Sequence, residues 1–271
     1  MITRIIVGVL LALMLLAVLY FGGFVMIVML ALFSFAATYE VSLIFKNKGQ
    51  KPIVMPAYIF ALTFPFVYHF FGLLTLIAFY MASFMATMIH SLFTKTQETS
   101  DVIPSLFLYI YPLMLLMCML LTYFSFDRAI GLTAACMAFG APECCDAFAY
   151  FGGSFLGRHK LCPRISPKKT VEGSVAALIG GAAFGLLIFF LQPLWAGATS
   201  FPTLLGLGLC CGVFSQFGDL FASTLKRWAD IKDFSSVFPG HGGIMDRIDS
   251  ILFCTPVVLI VFTILTRIGI Y

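Results

Sequence analysis

Length, composition and charge limit the classes of protein to which this chain can belong. It has 271 residues, of which 61% are hydrophobic and only 10% are charged, and its mean hydropathy is +1.05. An ordinary soluble domain is only about half apolar, so this composition excludes that class. We predict a membrane lipid bilayer as its surroundings and no nucleic acid among its partners.

Apolar segments of membrane-spanning length follow one another along the chain. A transmembrane helix needs roughly 20 mainly apolar residues, and the segments occupy most of the sequence. We therefore predict an all-α polytopic membrane protein with about nine transmembrane helices and no separate soluble domain. The predicted spans lie near residues 4–20, 23–45, 53–71, 73–93, 102–123, 129–157, 172–194, 201–226 and 249–270.

The basic residues indicate the orientation of these spans. If the N-terminus is cytoplasmic, the cytoplasmic loops hold 14 of the 16 Lys and Arg residues, and the opposite side holds Arg128 and Arg267. Such a bias follows the positive-inside rule. The sequence therefore predicts a cytoplasmic N-terminus and Tyr271 on the far side of the membrane.

We divide the chain into residues 1–128, with about five spans, and a catalytic region, 129–271, with about four. Two polar loops of the catalytic region, 157–173 and 227–243, are predicted to be cytoplasmic and to face one polar cavity. Prolines at 163 and 167 end the preceding helix and favour an extended first loop. The second loop ends in the run PGHGG, whose backbone N–H groups can approach and bind an anion.

Acidic residues are concentrated near the second loop. Asp219 lies inside an apolar helix, where an ionised carboxylate is costly unless it is paired or bound to a metal. Asp246 and Asp249 are three residues apart at the start of the last helix, so their carboxylates point the same way. Alternatively, Asp246 and Asp249 have only a structural role, because acidic side chains at the N-terminus of a helix interact favourably with the helix dipole. With nearby Lys and Arg, these carboxylates suit a divalent cation that bridges protein and polyphosphate.

Polar residues recur every three or four positions in two of the predicted helices, so that in each helix they share one face. One face consists of Ser215, Asp219, Ser223 and Lys226, and the other of Glu143, Asp146, Tyr150 and Gly153. Asp146 is either a site residue or a hydrogen-bonding residue between packed helices. Glu143 follows a proline, and site and structural interpretations both remain open for it.

These motifs together resemble the phosphatidate cytidylyltransferase family, also called CDP-diacylglycerol synthases. The resemblance covers about a third of the chain, in the family's order and spacing. The run APECC at 141–145 departs from the family pattern, so the resemblance assigns no role to Glu143. The matching runs are DAFAY (146–150), GR (157–158), SPKKTVEG (166–173), SQFGD (215–219), STLKR (223–227), KD (232–233), PGHGG (239–243) and DRID (246–249).

The family resemblance implies a reaction of CTP with phosphatidate to give CDP-diacylglycerol and pyrophosphate in phospholipid biosynthesis. It implies Mg²⁺ and a homodimer. From the carboxylates we predict one or two cations, and from the distribution of basic residues we predict an active site that faces the cytoplasm, in the bacterial cell (inner) membrane. The predicted metal ligands are Asp219, Asp246 and Asp249. Asp219, Asp246, Lys226 and Arg227 are predicted to be catalytic, and the predicted substrate-binding residues are Asp146, Arg158, Ser166, Lys168, Lys169, Ser223, His241 and Arg247.

The chemistry of such a transfer agrees with these residue types. The attacking phosphate is already an anion, so catalysis reduces to positioning and charge neutralisation. His241 therefore fits a phosphate-binding or structural hydrogen-bond donor better than a base. Two alternatives remain at this point: an enzyme that uses another lipid phosphate, such as a polyprenol or isoprenoid ether phosphate, and a transporter whose intramembrane acids line an ion pathway. The absence of an inverted repeat argues against the transporter.

Overall fold

A computed structural model describes residues 2–94, 98–238, 240 and 242–269, and these residues are mainly helical. The prolines, glycines and polar loops separate the apolar helices from one another. In chain order the helices are α1 (Ile2–Phe21), α2 (Gly23–Asn47), α3 (Met55–Phe93), α4 (Thr99–Leu108), a π-helical turn (Tyr109–Met114), α5 (Leu115–Phe124), α6 (Arg128–Leu156), α7 (Val171–Leu191), a 3₁₀ turn (Gln192–Trp195), α8 (Phe201–Trp228) and α9 (Met245–Ile268).

Every predicted span falls on helical structure, with ends that differ by a few residues. By length and composition, six helical stretches in the described part of the chain can cross a membrane, which identifies an all-α membrane protein. The helix α6 is not among the six, and it carries Glu143 and Asp146. Nine crossings stay a prediction. The six stretches are Gly23–Asn47, Met55–Phe93, Ser100–Phe124, Val171–Trp195, Phe201–Trp228 and Met245–Ile268.

The longest helix, α3, has a break at Gly72. Its 39 residues would extend ~58 Å at ~1.5 Å per residue, about twice the ~30 Å hydrocarbon core of a bilayer. Gly72 adopts φ 80° and ψ −176°, a conformation that is essentially restricted to glycine. The break lies between the predicted spans 53–71 and 73–93, and α3 is long enough for both.

The first polar loop contains a small β-hairpin that the sequence did not predict. Strands β1 (Lys160–Cys162) and β2 (Ser166–Thr170) pair antiparallel, with Lys160 opposite Thr170 and Cys162 opposite Ser166. The loop is extended, as expected, but its two extended arms bond to each other. In the described ranges the architecture is therefore all-α apart from this hairpin and an isolated bridge between Phe238 and Gly242.

The helices belong to two compact units. The first unit comprises Met1–Leu120 and Trp228–Arg247, and the second comprises Leu121–Arg227 and Ile248–Tyr271. Residues 228–247, which the sequence-based division assigned to the C-terminal region, thus pack in the first unit. The assignment of catalysis to residues 129–271 stays a prediction.

The core of the first unit is built from the inner faces of α2 and α3 around Tyr109. Phe60 and Phe64 of α3 are fully buried and stacked on each other. The hydroxyl of Tyr109 lies 2.8 Å from the Ser83 hydroxyl and 2.9 Å from the Thr87 hydroxyl. These bonds satisfy the polar groups that the apolar core would otherwise leave unpaired.

The core of the second unit depends on small residues that bring helix backbones together. A side chain at Gly181 of α7 would overlap the backbone of Gly208 in α8, and the reverse also holds. Close backbone approach at small residues is typical of packing between membrane helices. Around this contact the buried core consists of Ala134, Met137, Ala138, Ala141, Ile188, Leu204, Leu207, Cys211, Cys254, Val258 and Phe262.

Candidate active site

The second unit gathers three of the predicted acidic residues from three different helices. Asp146 comes from α6, Asp219 from α8 and Asp249 from α9. The charge of Asp219 acts on both of the other carboxylates, so the three side chains lie in one electrostatic neighbourhood. Asp249 is buried, and Asp219 is partly exposed. Apolar helices have therefore brought like charges together, which is unfavourable without compensating cations.

A residue that the sequence reasoning missed, Ser250, connects two of these acids. Its hydroxyl donates to a carboxylate oxygen of Asp146 at 3.2 Å, and its backbone N–H donates to Asp249 at 2.8 Å. Ser250 is buried in α9. Its position next to Asp249 in the sequence was the signal that could have identified it.

Two lysines approach the acids in the second unit. Lys169 of β2 forms an ion pair with Asp219. Lys226 of α8 is buried, and its charge acts on Asp249. The Ser223 hydroxyl donates to the remaining oxygen of Asp219 at 3.3 Å. The structure thus brings together Asp219, Ser223 and Lys169, all of which the sequence predicted as site residues.

The base of the hairpin is held by Thr170 and Glu172 at the start of α7. Thr170 caps the helix, because its hydroxyl accepts a bond from the Gly173 N–H at 3.1 Å. The Glu172 carboxylate accepts bonds from the backbone N–H groups of Arg158 and His159 at 3.1 and 3.3 Å. These bonds fix the strand that carries Lys169.

The other basic residues predicted for the site lie on or beside the hairpin. Arg227 donates from Nε to the Ile165 carbonyl at 3.3 Å, and so connects the end of α8 to the hairpin turn. Arg158 and Lys168 are exposed, and Ser166 is half-buried in β2. Their predicted contacts with substrate phosphates stay predictions.

Asp246 and Arg247 belong to the first unit, where α9 begins. One oxygen of Asp246 accepts bonds from the backbone N–H groups of Phe234 and Gly243, at 2.8 and 3.0 Å. Arg247 is exposed. Asp246 thus holds the Gly-rich turn, by which we mean the described residues Phe238, Gly240, Gly242 and Gly243. His241 lies outside the described residues.

Glycine is required in this turn for conformational reasons. Gly240 and Gly242 both adopt φ 79°, which side chains with a Cβ rarely allow. A Cβ on Gly242 would also overlap the Asp246 carboxylate. The N–H of Gly243 is bonded to Asp246, so this donor of the predicted anion-binding backbone is used within the protein.

Glu40 of α2 is a second residue that the sequence reasoning missed. It is 1% exposed, and it accepts a bond from the Ser235 hydroxyl and from the backbone N–H groups of Ile244 and Met245. The signal that could have identified it was an acid inside the apolar run 23–45, because such acids are rare in membrane helices.

A cavity of about 650 Å³ lies in the first unit, away from these acids along the chain. Its lining is mostly apolar and includes Pro52, Ile59 and Phe79, with Ser83 and His90 as polar members. This cavity is mostly apolar, and it is therefore not the polar cavity that the sequence predicted. The cytoplasm-facing polar cavity stays a prediction.

The donor groups of the second unit decide whether the predicted metal fits there. Within the described ranges, no three His, Cys, Asp or Glu side chains converge closely enough to hold a metal ion. The carboxylates of the second unit are nevertheless the hard oxygen donors that Mg²⁺ prefers. Asp146, Asp219 and Asp249 supply carboxyl oxygens beside Lys169 and Lys226, so the chemistry of the donor set fits a cation. Mg²⁺ stays a prediction.

The backbone contact beside Asp219 gives a testable result. A Cβ on Gly218 would overlap the carbonyl oxygen of Asp249, so Gly218→Ala must push α8 and α9 apart. A shift of ~1 Å in a site lowers activity by about 100-fold, and we expect that loss in an assay of the reaction that the family resemblance implies. Gly206→Ala on the same helix is the matched control, because a Cβ there meets nothing within 4 Å. Equal activity of the two variants would contradict the importance of this contact.

Comparison with known proteins identifies the family of this chain. The sequence profile of the cytidylyltransferase family matches residues 2–265. Since this match covers nearly all of the sequence, the chain belongs to the cytidylyltransferase family. The resemblance that the motifs carried is thereby confirmed.

Individual relatives have more specific names. Phosphatidate cytidylyltransferase of Thermotoga maritima is 38% identical over 140 residues, which is 51% of this chain and 52% of that protein. The Bacillus subtilis enzyme of the same name is 46% identical over 112 residues, 41% of this chain and 40% of the relative. The Synechocystis enzyme is 44% identical over 132 residues, with 47% and 42% coverage. The chain thus spans about half the length of the curated relatives it matches, or slightly less.

Proposed function

We propose that this chain transfers the cytidylyl group of CTP to phosphatidate and releases pyrophosphate. The observation that supports this most directly is the Asp219–Lys169 pair beside Asp146 and Asp249, in a chain of the cytidylyltransferase family. The similarity to three enzymes named phosphatidate cytidylyltransferase supports the choice of lipid.

In this reaction a phosphate oxygen of phosphatidate attacks the α-phosphorus of CTP. A new phosphorus–oxygen bond forms as the bond between the α-phosphorus and its bridging oxygen to the β-phosphorus breaks, and pyrophosphate leaves with that electron pair. We assign Lys169, Lys226 and Arg227 to neutralising the phosphates, because charge neutralisation and in-line positioning dominate such transfers. Ser223 and Asp219 orient these groups, and Arg158, Ser166, Lys168 and Arg247 add phosphate contacts.

We further propose Mg²⁺ as the cofactor. Asp219 and Asp249, with Asp246 by its sequence position, would hold it, and Asp146 would assist by its charge. A bound Mg²⁺ would neutralise phosphate charge and orient the triphosphate. Without such a cation, a polyphosphate would be repelled by the three acids of the second unit.

A substrate comparison tests this proposal. Purified protein in micelles should release pyrophosphate only when CTP and phosphatidate are both present. An isoprenoid ether phosphate or polyprenol phosphate at equal concentration serves as the lipid control. Faster release with the isoprenoid lipid would assign the chain to another lipid, and no CTP-dependent release with any lipid phosphate would contradict a cytidylyltransferase.

We also propose a bacterial inner-membrane location with the site on the cytoplasmic side, and a homodimer, as the family resemblance implies.

Single-cysteine variants test the orientation. They are made in a protein whose eight native cysteines are replaced. Positions 236 and 198 are both exposed, so both can react with thiol reagents. In intact cells we expect an impermeant reagent to label Ala198→Cys and to leave Ser236→Cys unlabelled until the membrane is opened. Labelling of position 236 from outside would overturn the orientation.

A further inference from the structure

The Glu40 carboxylate is buried in α2 and is bonded to one short stretch of chain far away in sequence. One oxygen accepts bonds from the Ser235 hydroxyl at 2.6 Å and from the Ile244 N–H at 3.0 Å. The other oxygen accepts a bond from the Met245 N–H at 2.7 Å. An acid that is 1% exposed would be costly without such bonds, and here both oxygens have donors.

These bonds place Glu40 at the N-terminus of α9. Met245 is the first residue of this helix, and the N–H groups of a first helical turn have no partner within the helix. A carboxylate at that end satisfies two of them and interacts favourably with the helix dipole. Glu40 is therefore the cap of α9, supplied by a helix about 200 residues earlier in the chain.

The same carboxylate fixes the end of the Gly-rich turn. A Cβ on Gly243 would overlap the carboxylate of Glu40, so the turn lies directly against it. The N–H of Gly243 donates to Asp246, as does that of Phe234. Glu40 and Asp246 thus hold one segment from two sides, and the position of one carboxylate depends on the other.

The contacts of α2 with this segment extend beyond Glu40. Lys48 pairs with Asp230 at 2.5 Å and lies over the ring of Trp228, and Phe45 also packs against that ring. These contacts hold the start of the segment, whereas Glu40 holds its end. The bonds of Glu40, by contrast, reach Ile244 and Met245, the residues that lead directly into Asp246.

We propose that Glu40 is a positioning residue that orients Asp246 by holding the Gly-rich turn and the first turn of α9. It acts through these backbone groups and touches neither substrate nor cation. The effect on catalysis rests on the proposed function, in which Asp246 is a metal ligand. The effect on the turn does not depend on that function.

The chemistry of the contacts makes Glu40→Gln an informative variant. Glutamine has nearly the same shape but keeps only one acceptor oxygen. Its NH₂ group would face either the Met245 N–H, or the Ile244 N–H together with the Ser235 hydroxyl. Asp101→Asn is the matched control. Asp101 is also buried in the first unit and accepts backbone bonds, from Lys51 and Glu98, but it has no bond to residues 228–247 among those found in the described chain.

Trypsin cleavage after the exposed Lys232 measures how firmly the segment is held, because cleavage follows local opening. Loss of a bond to a charged group should increase that opening by about tenfold or more. We expect Glu40→Gln to be cleaved about tenfold faster than wild type in detergent, and Asp101→Asn at the wild-type rate. Ser235→Ala removes one of the three bonds to Glu40 and also the bond that the Ser235 hydroxyl accepts from the Val237 N–H. It should give a smaller change in the same direction, and it tests the contact if Glu40→Gln fails to fold.

The second readout is the Mg²⁺ concentration that gives half-maximal cytidylyl transfer. A displaced Asp246 should raise it about tenfold in Glu40→Gln, whereas a simple loss of folded protein would leave it unchanged. Wild-type cleavage of Glu40→Gln and Ser235→Ala would overturn the role of Glu40 in holding the turn. Faster cleavage with an unchanged Mg²⁺ requirement would overturn its action on Asp246. An inactive wild-type protein would contradict the proposed function, and the cleavage rates would still decide whether Glu40 holds the turn.

Discussion

Replacement of Asp219 with alanine is expected to lower the rate of cytidylyl transfer by about 1,000-fold, the scale of losing a preorganised charge in an active site. Asp219 pairs with Lys169, accepts a bond from Ser223, and acts by its charge on Asp146 and Asp249. Without the Asp219 carboxylate, Lys169 loses its ion-pair partner and the proposed metal site loses one ligand. Initial rates at saturating CTP and phosphatidate measure the loss.

Two comparison variants sharpen this experiment. Asp219→Asn should be almost as inactive as alanine, because hard cations prefer charged oxygen ligands. Asp127→Asn should keep wild-type activity, since Asp127 is exposed and its side chain makes no capping bond to α6. Near-normal activity of Asp219→Ala would contradict the site, as would a loss of activity explained by unfolding alone.

Replacement of Lys169 with alanine should lower kcat/KM for CTP by roughly 10- to 100-fold, the range for losing one bond to a charged group. Lys169 lies on β2 with its ammonium group at Asp219, and the proposed reaction places substrate phosphate beside it. Lys226→Ala should have a similar effect, because Lys226 is buried near Asp249. Steady-state kinetics with each substrate varied in turn measure both losses.

The hairpin supplies the control for this prediction. Lys160 lies on the neighbouring strand β1 and is exposed, so Lys160→Ala should retain wild-type kcat/KM. If Lys169→Ala and Lys226→Ala both kept wild-type kcat/KM for CTP and for lipid, their assignment to the phosphates would be wrong.

The sequence predicted those features of the fold that depend on local composition. Long apolar runs and the residues that interrupt them located the helices, and Gly72 separated two predicted spans where α3 is broken. Helical spacing placed Asp219 and Ser223 on one face, and the structure has their side chains 3.3 Å apart. The cost of an ionised group in an apolar helix singled out Asp219, because this argument needs no knowledge of tertiary contacts.

Features that depend on distant contacts were not predictable in the same way. The hairpin at 160–170 is too short to give a strand pattern, and its prolines are typical of loops. Glu40 meets Ile244 across about 200 residues of chain, and no local pattern identifies such a partner. The position of residues 228–247 in the first unit depends on the same contacts, and so it differed from the division made by sequence.

In the proposed reaction the α-phosphorus of CTP becomes attached to phosphatidate. CTP labelled at the α-phosphorus and CTP labelled at the γ-phosphorus, given separately to purified protein with phosphatidate and Mg²⁺, test it directly. We expect the α-label to enter the organic-soluble lipid as CDP-diacylglycerol and the γ-label to appear only in water-soluble pyrophosphate. Asp219→Ala should leave both labels in CTP. Transfer of the γ-label to lipid, or release of the α-label as CMP with no labelled lipid, would contradict it.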